Sequence, residues 1–429
     1  MAAEPTPKAA WTITGLLFFY MLINMLINFA DKAVLGLAAV PIMQDLALTP
    51  KQFELVGSSF FFLFCLSAIL VGFVANRVAA RLVILALALS WALVQFPMAG
   101  AVGLATLLAC RILLGAGEGP AFSVAVHALY KWFPDAKRTL PTAILAQGAT
   151  FGVILALPAL KWIIVHHSWH CAFFALGIVG LLWVLLWLLL GREGPLVGSA
   201  QPAGGGAILE RISYRRLLSA PTFIGCALAG FGAYWGLSVG LTWFTSFIVK
   251  VLGFSQASAG AISTLPWVMG AAVVLTTGWL SQLLMARGAS SRLARGALGS
   301  APLVVGGLIV LMLPFVDSPG GKIALLVIGG GLTGSIYVVC PAIIGEFTPV
   351  SQRAGVIAIY GAIQTLAGVL APTVNGSVVE SAATLLQGYT AGYRITALVQ
   401  VFGGLAGLLL LRPATDAVRH LRLPARTAA

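Results

Sequence analysis

Runs of about twenty predominantly apolar residues, the length that crosses the hydrocarbon core of a bilayer, recur throughout this chain and limit what it can fold into. Twelve fit into its 429 residues, at roughly 12–40, 52–75, 82–101, 104–130, 139–162, 170–190, 221–248, 258–284, 297–316, 323–346, 354–378 and 392–411. The composition agrees: 60% of residues are hydrophobic and 9% charged. A soluble domain has about 45–50% and about 25%. The expectation is an all-α membrane protein of twelve transmembrane helices.

A net charge of +13 would suggest a nucleic-acid partner for a soluble protein, but its distribution argues otherwise. An even number of spans puts both ends on one side. With that side cytoplasmic, eighteen of the 25 basic residues fall inside, among them Arg77, Arg81, Lys131, Arg138, Arg295 and Arg353. Five fall outside or at an outer end: Lys51, Lys161, Lys250, Lys322 and Arg394. Positive residues concentrate on cytoplasmic loops, so both termini are expected in the cytoplasm of an inner-membrane, multi-pass protein with no nucleic-acid partner. The start, "MAAEPTPKAAWTITG", lacks the basic region, short apolar core and cleavage site of a removable signal. The five cysteines lie in or at the ends of apolar runs and match no zinc or disulfide framework.

Residues 191–220, "GREGPLVGSAQPAGGGAILERISYRRLLSA", hold no spanning run and read as a linker. They divide the chain into bundles at 12–190 and 221–412, with a cytoplasmic tail at 413–429. The halves share a signature. "GFVANRVAAR" follows the second span, with Gly72, Asn76, Arg77 and Arg81; "GWLSQLLMARG" follows the eighth, with Gly278, Gln282 and Arg287. A glycine, an amide four residues later and then basic residues recur at the same loop of each half, which points to an internal repeat of six-span units.

This pattern resembles the major facilitator superfamily, whose loop motif runs Gly-x-x-x-Asp-Arg-x-Gly-Arg. Gly72, Arg77 and Arg81 match it; Asn76 stands for the acid and Ala79 for the second glycine, and Gln282 takes the acidic place in the second copy. Within the superfamily the chain is most similar to the anion:cation symporters. "NFADKAVLGLAA" (28–39) resembles their first-helix Asn-Tyr-x-Asp-Arg segment. "RILLGAGEGPAFSVAVHALYKWFPDAKR" (111–138) resembles their Arg-x-x-x-Gly-x-x-Glu fourth helix. "SWHCAFFALG" (168–177) resembles the start of the sixth, with His170 for Arg, and "GVLAPTVNG" (368–376) the end of the eleventh. The resemblance implies the major facilitator fold, two pseudo-symmetric six-helix bundles, and a gating role for Gly72, Asn76, Arg77, Gly278 and Gln282.

Charges inside the spans are few. Of twelve acids only Asp31 and Glu118 lie deep in apolar runs; of the bases, Lys32 and Arg111 lie within spans. Arg111 and Glu118 are seven apart and share one face of the fourth span, and Asn24, Asn28 and Asp31 share a face of the first. Such faces must turn toward one another or toward a wet cavity. One reading is ion pairs that only fix helix packing. The other is a proton-coupled anion site, which the resemblance supports: there the positions of Asp31 and Glu118 carry protons and that of Arg111 contacts the substrate. Lys32 keeps the charge of the family's Arg but not its bidentate fork.

Further substrate-binding candidates are Asn28 and Gln147 in the first half, and Tyr234, Gln364 and Asn375 in the second, where such residues more often serve packing or helix–helix hydrogen bonds. His127 reads as a proton relay or a packing histidine, and "HHSWH" (166–170) as surface histidine at a membrane edge. The function expected is a monomeric proton-coupled symporter, not an enzyme. It would import an organic anion, a sugar acid or an aromatic or short carboxylate, with the proton as coupling ion and no cofactor or metal. The alternatives are an exporter or exchanger of similar anions and, from another class, a polytopic membrane enzyme or sensor.

Overall fold

The computed structural model describes residues 7–100, 103–197 and 212–421, and among these there are helices and turns but no strand. Among the described residues, twelve helical spans are long and apolar enough to cross a membrane. They are α1 (Phe18–Leu37), α2 (Leu55–Ala75), α3 (Ala80–Ala99), α4 (Leu104–Leu129), α5 (Thr139–His166), α6 (Trp169–Leu190), α7 (Pro221–Lys250), α8 (Ser258–Ala286), α9 (Arg292–Phe315), α10 (Pro319–Phe347), α11 (Val350–Ser381) and α12 (Leu385–Leu410). These bounds match the apolar runs to within a few residues, except where a helix continues into polar sequence. The ninth begins at Arg292 rather than 297, through a wide π-helical turn over Arg292–Ala297. Arg295, expected in a loop, is therefore a helical residue, and it is fully buried.

The chain forms two compact units. One comprises residues 1–134 and 144–207, the other 135–143 and 208–429. Of the expected linker, residues 198–211 lie outside the described residues, with Arg211 among them. Its flanks are structured. Leu196 N–H donates to the Lys131 carbonyl at 3.0 Å. After a short helix at Tyr214–Leu218, α7 starts at Pro221. The Gln352 carboxamide bonds both the N–H and the carbonyl of Ile212, at 3.0 and 2.6 Å. The expected tail is also partly ordered. Pro413–Leu421 is a helix, and its buried Asp416 accepts from Thr222 N–H at 3.2 Å, satisfying an orphan donor at the start of α7. Residues 422–429, with Arg422 and Arg426, lie outside the described residues.

In the first unit, helix breaks and glycines set the geometry. α4 is two helices, Leu104–Glu118 and Ala121–Leu129, separated at Pro120, which lacks an N–H to continue the ladder. Glu118 thus sits in the last turn before the break. Gly115 and Gly119 press against the backbone carbonyls of Phe60 and Phe64 on α2, so closely that a methyl at either would overlap them, and a methyl on Gly117 would meet the Trp91 indole of α3 at 2.7 Å. Small residues let helix backbones approach in this way. Gly148 and Gly152 similarly bring α5 onto α1 at Met25 and Leu26.

The cytoplasm-expected end of this unit is tied by Glu193. The N-cap of α3, Ala79, offers no side-chain acceptor. Glu193 supplies one from beyond α6: its carboxylate accepts from the N–H groups of Ala80 and Arg81 at 3.2 and 3.1 Å, and from the Lys131 ammonium. Burial pushes the Glu193 carboxyl up, but Lys131 and the two amides more than offset this and hold it below the usual carboxylate value. Arg81 is anchored nearby, donating to the Leu188 carbonyl at 3.1 Å while its own carbonyl accepts from the Trp187 indole at 2.9 Å.

The second unit contains a saturated ion cluster. The Arg295 guanidinium donates to Asp135 Oδ2 at 3.0 Å, Glu346 Oε2 at 2.9 Å, the Asp135 carbonyl at 2.5 Å and Thr139 Oγ1 at 3.3 Å. Ser291 adds a 2.5 Å bond to Glu346, and Arg138 pairs with Asp135 at 2.9 Å. Beside it a methyl on Gly278 would lie 2.5 Å from the Ala143 side chain, so this glycine of the repeated signature marks a close approach of α8 to residues 139–143.

Two outcomes follow from this packing. Gly115→Ala should destabilise the protein by about 1–3 kcal/mol, because a backbone carbonyl cannot move aside as a flexible side chain can; thermal unfolding in detergent would measure it, and an unchanged midpoint would contradict the contact. A carboxylate held low contributes stability above its unfolded value of about 4.3 and loses it as pH falls through the lower folded value. Glu193→Gln should therefore lower the melting midpoint at neutral pH and flatten its decline below about pH 5.

A candidate anion site in the first unit

Four intramembrane charges converge within the first unit. Asp31 and Lys32 come from α1, Arg111 and Glu118 from α4. Asp31, Arg111 and Glu118 are at most 5% exposed; the Lys32 side chain is 26% exposed, the most accessible of the four. Lys32 does not pair with its neighbour Asp31, because successive side chains on a helix project about 100° apart. Its ammonium bonds Asn28 Oδ1, one turn back, at 2.8 Å, and lies 3.4 Å from Glu118 Oε2. It also sits over the Phe29 ring at 4.3 Å. Arg111, two turns before Glu118, rests its guanidinium 4.8 Å over the Phe60 ring, whose backbone is fixed by Gly115.

Unlike the Arg295 cluster, this one is undersatisfied. Arg111 Nε and Nη1, both oxygens of Glu118 and Asp31 Oδ1 are buried without a hydrogen-bond partner. The Lys32–Glu118 contact is long against the roughly 2.7–2.9 Å of a charge-assisted hydrogen bond. Buried polar groups are ordinarily paired, and a buried charge more stringently so. A guanidinium with two free N–H donors on an aromatic face can take a carboxylate, and a carboxylate held only by one long ammonium contact can take a proton.

The other expected residues divide between the units. Asn28 is in the site, holding Lys32. Gln147 is buried on α5 next to Gly148, with its carbonyl oxygen unpartnered. Tyr234, Gln364 and Asn375 belong to the second unit. Tyr234 packs on Gly368 and edge-on to Tyr337, with ring centroids 6.5 Å apart. Gln364 is half-buried on α11. Asn375 is 3% exposed, lies on Gly392 of α12, where a methyl would displace its carboxamide, and keeps a buried, unpartnered Nδ2. Gly72 is buried near the end of α2 and Arg77 is exposed beyond it, with Asn76 between them as the helix C-cap. Gln282 in α8 keeps a buried, unpartnered oxygen. His127 is buried on α4, and His170 is 4.0 Å from Asp45.

Gln95 of α3 was not anticipated. It is 1% exposed and its amide lies beside the Asp31 carboxylate. A search for ionisable residues passes over it. An inventory of amides inside apolar runs would have found it, since Trp91 and Gln95 are one turn apart on the same face of α3.

Comparison with known proteins agrees with this architecture. The chain is 26% identical over 410 residues to a hexuronate transporter of Bacillus subtilis, covering 92% of this chain and 94% of the relative. It is 27% identical over 327 residues to a D-galactonate transporter of Escherichia coli, covering 72% and 74%. Among solved structures, the E. coli fucose:proton symporter superposes with a TM-score of 0.71 at 17% identity, over 91% of this chain and 98% of that one, a likeness of fold. The family model of the Major Facilitator Superfamily matches residues 21–333. With twelve membrane-crossing helices and that match, the chain belongs to the Major Facilitator Superfamily and is a multi-pass membrane transporter rather than an enzyme.

Proposed function

We propose that this protein is a proton-coupled symporter that imports an organic carboxylate, with a sugar acid as the substrate class, across the inner membrane. The observation that carries the reading is the undersatisfied set of two acids and two bases in the first unit. Arg111 has free N–H donors, and Lys32 is held by an amide and a loose ion pair. The relatives' substrates, hexuronate and galactonate, support the substrate class.

The mechanism is a competition for the bases. With Asp31 and Glu118 ionised against Lys32 and Arg111, the set sums to zero. Protonating Glu118 removes the anion beside Lys32, and an external carboxylate then restores neutrality at Lys32 and Arg111. Arg111 is the bidentate partner, because its planar fork matches a carboxylate while Lys32 acts as a point charge. One proton with one monovalent anion leaves the sum unchanged. A second proton, on Asp31, makes the loaded set +1, and an inside-negative potential drives its entry at about 2.3 kcal/mol per 100 mV. Gating is assigned to the repeated loop signature, with Gly72, Asn76 and Arg77 in one copy and Gly278 and Gln282 in the other. Amides stand there in the place of an acid, so any latch at these loops does without that charge.

In proteoliposomes, Asp31→Asn and Glu118→Gln should each abolish proton-driven accumulation of a labelled sugar acid while retaining measurable binding or counterflow. Full gradient-driven uptake by both variants would refute the coupling. Arg111→Lys should weaken binding of the same sugar acid by about 10- to 100-fold, since a charge-assisted bidentate contact is worth about 1.5–3 kcal/mol. Unchanged affinity by thermal-shift titration would place the carboxylate contact elsewhere.

A further inference from the structure

Asp31 has a second environment besides the charged one. It borders a small, partly open cavity of about 10 Å³ among α1, α3 and α6, which Asn24, Trp91, Ala88 and Gly180 also line. A space of that size admits one water molecule and no larger ligand. Small cavities stay dry when their walls are wholly apolar; beside Ile27, Ala88, Ala92, Leu176 and Gly180, these walls present a carboxylate, a carboxamide and two indoles.

The walls also carry unmet hydrogen-bonding capacity. Asp31 is 1% exposed and Trp91 2% exposed, and neither Asp31 Oδ1 nor the Trp91 indole N–H has a partner. The other indole at the cavity, Trp183, is already committed, donating to the Tyr20 carbonyl at 3.0 Å. Trp91 therefore offers the available donor and Asp31 the available acceptor. Cδ1 and Nε1 of the same indole lie close to Gly117, the residue before Glu118, where a methyl would meet them at 2.7 and 2.8 Å. The indole spans from the cavity beside one acid to the backbone that carries the other.

We infer that the cavity binds a single structural water that bridges the Trp91 N–H, Asp31 Oδ1 and the Asn24 side chain, making Trp91 a positioning residue for the proton-carrying carboxylate. This rests on the proton-coupled reading of Asp31. The water accepts from the indole and donates to the carboxylate, so it favours ionised Asp31 over the protonated form. The charges facing Asp31 are Lys32 from its own helix and Arg111 and Glu118 from α4; the Gln95 amide faces it from α3. The cavity wall from α6, formed by Leu176, Gly180 and Trp183, brings no charge. Removing the bridge leaves that charge set in place, and its effect is confined to the hydrogen bond.

Two variants test this in the full-length protein. Trp91→Phe removes the N–H and keeps a ring; Ala88→Val fills the cavity with methyl groups. X-ray hydroxyl-radical footprinting should modify buried Trp91 in the wild type, because radicals form at bound water, and Ala88→Val should protect it. In proteoliposomes both variants should move the midpoint of the uptake–pH profile upward by about half a unit or more, since ionised Asp31 loses a donor. A wild-type Trp91 that resists footprinting overturns the water site. Unshifted midpoints in both variants, with Asp31→Asn abolishing accumulation, overturn the positioning role. If Asp31→Asn retains full gradient-driven uptake, the proton-coupled reading fails instead, and footprinting still decides the water. Should Trp91→Phe fold poorly, Ala88→Val carries both measurements.

Discussion

Two carboxylates and two bases, of which all but Lys32 are buried, lie together inside the first unit, and the free energy of keeping them there constrains everything around them. Each ionised group costs several kcal/mol to desolvate, and mutual attraction offsets that cost only when geometry and hydrogen bonding are good. In the Arg295 cluster of the second unit they are good: the guanidinium reaches two acids, a carbonyl and a hydroxyl. In the first unit they are not, and Arg111 and Glu118 retain unsatisfied atoms. Two ionic clusters in one chain thus follow opposite designs. One is saturated and fixes structure. The other keeps unmet hydrogen-bonding capacity at Arg111 and Glu118.

The scaffold that keeps those groups apart is built from glycine and proline. Gly115, Gly117 and Gly119 set α4 against α2 and α3 at backbone distance, and Pro120 ends the helical segment just past Glu118. Phe60 is fixed by the same contact, and its ring becomes the face on which Arg111 rests. The spacing of Arg111 and Glu118 along one helix would let both turn toward a single partner on α1. The observed packing instead gives Glu118 to Lys32 and leaves Arg111 on an aromatic ring, with a smaller electrostatic claim on its N–H groups.

Much of this was legible before any coordinates. The twelve spans, their pairing into two sets of six and the repeated Gly-x-x-x-amide signature all follow from hydropathy and punctuation, because lipid leaves a backbone few alternatives to helices. Asp31, Lys32, Arg111 and Glu118 stood out because a charge in an apolar run is costly and therefore rare. Gln95 and Trp91 did not, since amides and indoles are common enough in membrane helices to carry no signal alone. Arg295 was misplaced for the opposite reason: a basic residue at the edge of an apolar run reads as loop, while its burial depends on Asp135 and Glu346, more than fifty residues away in either direction.

The sequence by itself determined that the chain crosses a membrane as helices, which residues pay the electrostatic cost of lying there, and that the charges come from the first and fourth spans. These are properties of composition and of the 3.6-residue period, and they need no partner. Only the tertiary structure decided who meets whom. It paired Lys32 with Glu118 rather than with adjacent Asp31, set Arg111 on Phe60, brought Gln95 to Asp31, capped α3 with Glu193, and ordered part of a tail that reads as loose. Each of these depends on the rotation and separation of helices distant in sequence. Side-chain interactions fall away within a few ångströms, so which pairs form is settled by close packing and not by position along the chain.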